Sequence, residues 1–440
     1  MKVLMLASGL GTICRGYERF VLDMATQLRS NGLRVRCWGT SNAPDVQALP
    51  ILGREELQRL ALERMRQDPD FASYSGSDLH DWTLHTEDQL FGLAAAARLH
   101  RETRTNEPLI VYVKWQGGLM DAGGKSTALL EGLARASREG PVHTVIHTDW
   151  VYPPVISRLA SAGCAFHSIA PWVTKQLLEL GITQGFELPM GTMSIPLKNV
   201  RTRQAAFRQT RGIPEHAFVT LTVGAFNNEI KNFPYLVNDL APLAKDEDFY
   251  WVVAGARGKE PAAWEKQARS LFGPRFIPLM DVPFEQMPDV YGLADLALHG
   301  TLNETFGLCY LESQLAGLPS VMHDYHVTQW LTTGLPEELA TISRVNMRVP
   351  GAALAAVAEW RHLLADTSGK ASILQIMEYF RTVQEQRFAW ENLGPRFAES
   401  FRQLAQPKVV KQPIPAPAAQ DQRQLMSVLA KQQQPHKKQG

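Results

Sequence analysis

The chain has 440 residues, a hydrophobic content of 45% and a formal net charge of +1 at pH 7. This length allows two or three domains with substantial cores, and the near-zero charge provides no general field that would recruit nucleic acid or an anionic membrane. The four cysteines are scattered without a C-x-x-C pair, which argues against a zinc site or a disulfide framework and favours a reducing compartment. We expect no signal peptide and no membrane-spanning segment, because no apolar run approaches the roughly 20 residues that a membrane helix needs.

The first 38 residues predict a β-α-β unit. Residues 2–7 form an apolar run typical of a buried strand, residues 17–30 carry apolar side chains at helical spacing, and residues 33–38 predict a second strand. Such a unit favours a parallel sheet. The glycine-rich turn does not match the dinucleotide pattern G-x-G-x-x-G, because Cys14 occupies the third glycine position and residues 39–41 contain no ribose-binding acid.

The next part of the chain contains a second glycine-rich loop. Residues 71–82 are polar and predict a loop, residues 87–101 predict a helix, and residues 109–115 predict a strand. A loop that ends in Gly-Lys-Ser around Lys125 follows, which is the order found in a P-loop. The pattern G-x-x-x-x-G-K-[ST] would need glycine where Leu119 stands, and a P-loop depends on this spacing to wrap its amides around phosphates. A nucleoside-triphosphate site at Lys125 is therefore the less favoured alternative.

Polar residues follow the strand that is predicted at residues 142–146. This strand runs into His147, Thr148, Asp149 and Trp150. Ligands of open α/β sheets lie at the carboxyl ends of the strands. His147 and Asp149 are therefore candidates for ligand contact, and the alternative for His147 is a strand-end histidine that is satisfied by the backbone.

The second half of the chain repeats the alternation of strands and helices after a basic segment that predicts a hinge. Strands are predicted at residues 218–223 and 250–254, and each is followed by a glycine turn with a basic residue. Lys231 lies in the first of these turns and Arg257 in the second.

The most informative stretch is a loop, a helix and a buried strand at residues 302–321. Leu308, Leu311 and Leu315 recur at helical spacing, and Gly317 and Pro319 mark the end of the helix. The polar residues 303–305 could cap its start.

A helix start of this kind suits an anionic ligand. The first amides, at about residues 306–308, lack partners within the helix and together with the helix dipole form a phosphate site. Glu304, just outside that site, could accept hydrogen bonds from sugar hydroxyls, and Glu312 follows eight positions later. The alternative is that Glu304 is an ordinary first-turn acid and Glu312 a solvated helix residue.

This stretch resembles the E-x7-E signature of retaining glycosyltransferases and is similar to glycosyltransferase family 4. The family pattern is roughly E-T-F-G-x-x-x-x-E-A-x-A-x-G-x-P-V, and Ser313 and Ser320 are the two small departures from it. The run R-G-Y-E at residues 15–18 also resembles the first loop of the family. A larger departure is Ala225, which stands where the family motif G-R-x-x-x-x-K-G has arginine, although Lys231 is in register.

The resemblance implies the GT-B fold, which is an α/β fold of two Rossmann-like domains with parallel sheets facing a central cleft. The implied divisions are an acceptor-side domain at 1–195, a hinge at 196–213, a sugar-nucleotide-binding domain at 214–385, a helix that crosses back at 386–404 and a tail at 405–440. The tail is rich in Pro, Gln and Lys, which predicts disorder, and one short amphipathic turn within it could dock a protein partner.

The resemblance also implies the site residues. Glu304, Lys231 and His147 would form the catalytic group, with Glu304 on hydroxyls of the donor sugar and Lys231 on the diphosphate. Asp149 would lie on the acceptor side. The donor-binding residues would be Gly11, Arg15, Thr305, Phe306, Gly307, Leu308, Glu312 and Arg257, of which Glu312 would hold the ribose and Arg15 or Arg257 would replace the missing arginine.

The implied activity is that of a retaining, hexosyltransferase-type enzyme. It would move a sugar from a nucleotide-diphosphate-sugar to a hydroxyl of a glycan, a lipid-linked glycan or a small molecule. No metal or other cofactor is expected, because Lys231 and helix amides would neutralise the departing diphosphate. We expect a cytoplasmic location, with peripheral membrane association left open, and no nucleic-acid partner. The alternatives are an inactive binding subunit, which Ala225 favours, and the phosphate-transferring enzyme that would use Lys125.

Overall fold

The structure is a computed structural model that describes residues 1–10, 16–67, 76–103, 106–114, 119, 126–192, 197–226, 229–256, 261–365 and 367–406. Its strands form two sheets, one of seven strands and one of six. Every strand pairing within the two sheets is parallel. The predicted α/β class with two parallel sheets is therefore confirmed.

The seven-stranded sheet is built from the first half of the chain, and its order is β3-β2-β1-β4-β5-β6-β7. Its central strands are apolar runs buried on both faces; all five residues of β4 are buried, as expected for a parallel sheet covered by helices. The elements are β1 Lys2–Leu6, α1 Gly16–Ser30, β2 Arg34–Gly39, β3 Val46–Ala48, α2 Arg54–Met65, α3 Gly76–Thr103, β4 Leu109–Val113, α4 Ala128–Glu139, β5 Val142–Thr148, α5 Pro153–Ser161, β6 Ala165–Ser168, α6 Pro171–Glu179 and β7 Gly185–Glu187.

The six-stranded sheet is built from the second half, and its order is β10-β9-β8-β11-β12-β13. Because β9 and β10 lie on one side of β8 and β11 to β13 on the other, the strand order reverses between β8 and β11. The elements are α7 Leu197–Thr210, β8 Phe218–Val223, α8 Phe233–Leu240, β9 Phe249–Gly255, α9 Ala263–Phe272, β10 Phe276–Met280, α10 Met287–Gly292, β11 Leu296–Leu298, α11 Leu308–Leu315, β12 Ser320–His323, α12 His326–Leu331, α13 Glu337–Ser343, β13 Arg344–Val345, α14 Ala352–Ala365, α15 Thr367–Phe388 and α16 Trp390–Leu404.

The last helix returns to the first sheet, as the sequence predicts. On α16, the ring of Phe397 lies 6.1 Å from that of Phe20 on α1, and the ring of Phe401 lies 5.9 Å from that of Tyr112 on β4. The predicted crossover segment 386–404 begins earlier than α16 does, because its first three residues belong to α15. The aromatic face of α16 thus completes the core of the first half.

Two segments differ from expectation or refine it. Residues 76–82, predicted to lie in a loop, are the first turns of α3, because the long helix continues through its polar residues. Within the predicted hinge, residues 197–210 form α7. The buried guanidinium of Arg208 on α7 donates hydrogen bonds to the carbonyl of Leu293 at 2.8 Å and to the carboxylate of Asp295 at 2.9 Å. This helix is therefore tied to the six-stranded half, and the domain boundaries stay predictions.

Some predicted features cannot be placed. Lys125 and residues 407–440 of the predicted tail lie outside the described residues. Among the helices that are described, none combines the length and the apolar character needed to cross a membrane.

We expect Phe397→Ala to lower the free energy of unfolding by about 3–5 kcal/mol, because it removes a fully buried ring from the contact between α16 and the first sheet. Urea denaturation followed by circular dichroism measures this loss. Tyr379→Ala on α15 is the control: its side chain is 68% exposed, and we expect a change below about 0.5 kcal/mol. Equal losses in the two variants would contradict the packing of α16.

Candidate functional site

The reversal of strand order between β8 and β11 places two loops side by side. In open parallel sheets, ligands bind at the carboxyl ends of the strands where the order reverses. The segment after β8 leads to Lys231, in a short 3-10 turn at Glu229–Lys231, and the loop after β11 contains Glu304. Both predicted catalytic residues of the second half therefore lie at this point of the sheet.

Lys231 and Glu304 form an ion pair. The ammonium donates a hydrogen bond to the Oε1 atom of the carboxylate, and the two side chains are only 15% and 21% exposed. Burial opposes the positive charge on Lys231, but the negative charges that Cys309 and Glu304 can carry outweigh it, so the pKa of the amine lies above its ordinary value. The structure thus brings together a lysine ammonium and an acceptor carboxylate in a partly buried position.

Two glycines make room for the lysine. A Cβ atom on Gly255, at the end of β9, would lie 1.9 Å from the carbonyl oxygen of Gly224, so only glycine allows the two strand ends to approach this closely. A Cβ atom on Gly224 would lie 3.0 Å from Cδ of Lys231. The aliphatic part of the lysine therefore lies across Gly224, and the bare backbone there sets its height above the sheet.

The helix beside this pair begins later than predicted. Helix α11 starts at Leu308, and its N-cap is Gly307 with a φ of +81°, without a side-chain cap. The prediction that residues 303–305 cap the helix is therefore wrong, because the chain turns into the helix through the left-handed conformation that glycine adopts readily. The amides that precede the first internal hydrogen bonds are those of Leu308 and Cys309, so Thr305, predicted to bind the donor, lies before the helix.

Phe306 has a structural side chain. It is 1% exposed, and its ring packs edge-on against those of Trp330 at 5.7 Å and Phe388 at 6.0 Å. The prediction of a donor contact can therefore concern only its backbone. The anchored ring fixes the loop that carries Glu304, a function that the motif alone does not reveal.

Glu312 lies within α11, as predicted, and it is half-buried. Burial raises the pKa of its carboxyl to about 7, although the hydroxyl of Tyr291 donates a hydrogen bond to it at 2.6 Å and so favours the charged form. The negative charge of Asp23 on α1 also raises this pKa. Glu312 therefore faces the first half of the chain, and Tyr291 is a partner that the sequence did not indicate.

His299 is a second residue that the sequence analysis missed. It follows β11, it is 1% exposed, and its Nε2 atom lies 3.1 Å from Oγ of Ser313. The hydroxyl of Ser313 donates to the carbonyl of Cys309 at 2.7 Å, so His299 must be the donor in its bond with Ser313. Burial and the charge of Lys231 lower the pKa of His299 to about 3, so the ring is neutral. Ser313 is itself a departure from the family motif, and this departure is the one signal in the sequence that could have drawn attention to the pair.

His147 and Asp149 lie at the carboxyl end of β5, in the other sheet. His147 is 1% exposed, and its Nδ1 atom lies 2.7 Å from the hydroxyl of Tyr112. Its partner is thus a side chain, and the alternative of a histidine satisfied by the backbone is wrong. Asp149 is half-buried.

The predicted residues thus form two groups. Among the described residues, no hydrogen bond or ion pair joins His147 or Asp149 to Lys231, Glu304 or Glu312. Three predicted donor-binding residues, Gly11, Arg15 and Arg257, lie outside the described residues. Within the described part of the chain, no three His, Cys, Asp or Glu side chains are grouped as metal ligands would be. Independence from metal stays a prediction.

The site falls in a segment that matches a known family. Residues 217–357, which include Lys231, Glu304 and Glu312, match the family model described as glycosyl transferases group 1. No curated protein matches the sequence.

Solved structures match most of the chain. A glycosyltransferase from Rickettsia africae ESF-5 has a TM-score of 0.65 at 13% identity and covers 92% of this chain and 99% of its own. HepE from Anabaena, in complex with UDP and glucose, has a TM-score of 0.60 at 16% identity and covers 92% and 100%. Sucrose-phosphate synthase from Thermosynechococcus elongatus has a TM-score of 0.60 at 14% identity and covers 92% and 99%. These similarities establish the fold, and the predicted GT-B fold is confirmed.

Proposed function

We propose that this protein is a retaining glycosyltransferase of the family 4 type, which moves a sugar from a nucleotide-diphosphate-sugar to a hydroxyl acceptor without a metal ion. The ion pair of Lys231 and Glu304 carries this proposal. A nucleotide sugar has one part that needs a cation, the diphosphate, and one part that needs an acceptor, the sugar hydroxyls. The paired side chains supply both, next to the free amides that begin α11.

Two comparisons support the proposal. The segment that matches glycosyl transferases group 1 contains the whole pair and Glu312. HepE, whose fold is similar, is described in complex with UDP and glucose and also with UDP-glucose. A nucleotide sugar is therefore the substrate class that we assign to this site.

The proposed reaction uses both charges of the pair, and its stereochemical course is the one that the resemblance to retaining glycosyltransferases implies. When the donor binds, its diphosphate forms an ion pair with the ammonium of Lys231, and its sugar hydroxyls donate hydrogen bonds to the carboxylate of Glu304. The bond between the anomeric carbon and the phosphate oxygen then breaks, and the acceptor oxygen forms a bond on the same face of the sugar. The acceptor proton passes to the phosphate oxygen that leaves. Lys231 and the amides of α11 stabilise the negative charge that develops there.

Glu312 is the proposed ribose ligand. Its carboxylate can accept hydrogen bonds from two neighbouring hydroxyls, and the hydroxyl of Tyr291 holds one of its oxygens at 2.6 Å. The charge of Asp23 on α1 reaches this carboxyl. The nucleoside would therefore lie where α11 faces the first half of the chain.

One observation favours a second function, an inactive binding subunit. Ala225 follows β8 and is exposed, so it provides no cation where the related motif has arginine. Arginine would form bidentate, charge-assisted hydrogen bonds to the diphosphate. The two functions predict different responses to nucleotide sugars.

We expect one of UDP, GDP and ADP to raise the melting temperature of the purified chain without added metal, and its sugar conjugate to raise it further. Glu304→Ala should show at least the wild-type shift with the diphosphate and lose the additional shift with the conjugate, because only the sugar hydroxyls need this carboxylate. Glu338→Ala, at an exposed position of α13, is the control and should behave like the wild type. If no nucleotide shifts the wild type, the transferase proposal is wrong and the inactive binding subunit is favoured.

Ala225→Arg should strengthen binding of the preferred nucleoside diphosphate by about 10- to 100-fold, since a charge-assisted hydrogen bond contributes about 1.5–3 kcal/mol. Isothermal titration calorimetry measures this change. Ala225→Gln adds a polar side chain without charge, and we expect its affinity to stay near that of the wild type. Equal affinities for the arginine and glutamine variants would place the diphosphate away from the carboxyl end of β8.

Donor affinity should depend on pH through Glu312. Because the pKa of this carboxyl is raised to about 7, the group is increasingly protonated below that pH, loses its negative charge and becomes a weaker acceptor for the ribose hydroxyls. Affinity should therefore fall by up to about tenfold for each pH unit below 7 and level off above it. Glu312→Gln cannot titrate, so it should bind the donor more weakly, and its affinity should change less with pH between about pH 5.5 and about pH 8. Parallel profiles in the two proteins would exclude Glu312 as the titrating ligand.

A further inference from the structure

A buried chain of hydrogen bonds connects three strands of the first sheet. Nδ1 of His147 on β5 lies 2.7 Å from the hydroxyl of Tyr112 on β4, and the same hydroxyl lies 2.8 Å from Nδ1 of His167 on β6. Nε2 of His167 lies 2.8 Å from the carbonyl oxygen of Leu188. The two histidines and the tyrosine are at most 1% exposed, so bulk water cannot take part in the hydrogen bonds between them.

The direction of each hydrogen bond follows from the carbonyl at one end. A carbonyl only accepts, so Nε2 of His167 carries a proton. Burial lowers the pKa of His167 to about 4, so its ring is neutral and its Nδ1 is bare. The hydroxyl of Tyr112 must then donate to that Nδ1, and its oxygen can accept from His147.

The last bond therefore determines the tautomer of His147. Its Nδ1 carries the proton that Tyr112 accepts. Burial, followed by the positive charge of Lys114 and the ring of His167, lowers the pKa of His147 well below its ordinary value, so this ring is also neutral. Its Nε2 must then be bare, and this buried atom has no hydrogen-bond partner among the described residues.

The packing around the chain holds this arrangement in place. The ring of Phe20 lies 5.5 Å from that of His147, the ring of Phe186 stacks on His167 at 5.0 Å, and the ring of Phe397 lies 5.1 Å from His167. A ring flip of either histidine would break its hydrogen bond inside an apolar layer, where a lost bond is costly. The bare nitrogen is thus a fixed feature of this face.

We infer that Tyr112 and His167 are positioning residues that hold Nε2 of His147 unprotonated, so that this nitrogen accepts a hydrogen bond from a hydroxyl of a bound sugar. The inference rests on the proposed function. His147 is the last residue but one of β5, at the carboxyl edge of the sheet where Lys114 follows β4. The sequence made His147 a candidate for ligand contact, and the chain of hydrogen bonds adds that His147 is the acceptor in that contact. The hydroxyl belongs either to the donor sugar or to the acceptor.

The tautomer can be measured without any substrate. We would label the histidines of the full chain with ¹⁵N and record two-bond proton–nitrogen spectra at neutral pH, assigning the rings by the signals lost in His147→Gln and His167→Gln. We expect His147 to be neutral with a protonated Nδ1, which is the minor tautomer of free histidine. Tyr112→Phe should convert it to the Nε2-protonated form, and Tyr379→Phe, at an exposed position, should change nothing. A wild-type His147 with a protonated Nε2 or a charged ring would overturn the inference.

Transfer rates test the role of the bare nitrogen. With the nucleotide sugar found by thermal shift, we expect Tyr112→Phe to reduce kcat/KM at least tenfold while it remains folded by circular dichroism. His147→Gln keeps an acceptor oxygen that needs no tautomer, so Tyr112→Phe should cause little further loss in that background. A merely structural tyrosine would cause the same loss in both backgrounds, which would overturn the positioning role.

Two further readouts separate the possible sources of the hydroxyl and the possible failures. If Tyr112→Phe also slows hydrolysis of the donor in the absence of acceptor, the hydroxyl belongs to the donor sugar; if it slows only transfer, the hydroxyl belongs to the acceptor. The expected tautomer in a wild-type protein that neither binds nor transfers any nucleotide sugar would refute the proposed function and, with it, the sugar contact of His147. The wrong tautomer in an active enzyme would refute the inference alone.

Discussion

The ion pair between Lys231 and Glu304 depends on the backbone geometry of the six-stranded sheet at several points. Gly255 and Gly224 allow the ends of β8 and β9 to approach, and the lysine stem lies across the space that this leaves. On the other side, Gly307 turns the chain into α11, and the buried ring of Phe306 holds the loop of Glu304 against the core. The two charges meet because Lys231 and Glu304 lie in the segments that follow β8 and β11, the two strands between which the order reverses.

Neutral histidines at strand ends are a second constraint, and they occur in both sheets. His147 donates through Nδ1 to Tyr112, and His299 donates through Nε2 to Ser313; each keeps one bare nitrogen without a partner among the described residues. Burial and a nearby lysine lower the pKa of each ring, Lys114 for the first and Lys231 for the second. A lysine near a neutral histidine therefore recurs at the carboxyl edges of the two sheets.

The sequence predicted the features that local patterns encode. Apolar runs located the central strands, and the motif placed Glu304 and Glu312 in a loop and a helix, because strand burial and helical spacing repeat within a few residues. The start of α11 was misplaced because a left-handed Gly307 leaves no side-chain signature. Tyr112 and His167 could not be paired from the sequence, since their contact joins residues 55 positions apart whose hydroxyl and ring carry no pattern of their own.

The absence of arginine at position 225 changes what the ion pair does in the proposed reaction. Without a second described cation at the end of β8, the charge of Lys231 is balanced by Glu304 before any ligand arrives, so a diphosphate must compete with a carboxylate for the same ammonium. A nucleoside diphosphate alone would leave Glu304 partly buried beside a phosphate without a compensating donor, which is costly. A nucleotide sugar offers hydroxyls to that carboxylate at the moment it loses the lysine. The ion pair of Lys231 and Glu304 would therefore favour binding of the nucleotide sugar over binding of the nucleoside diphosphate, which helps this product to leave after transfer.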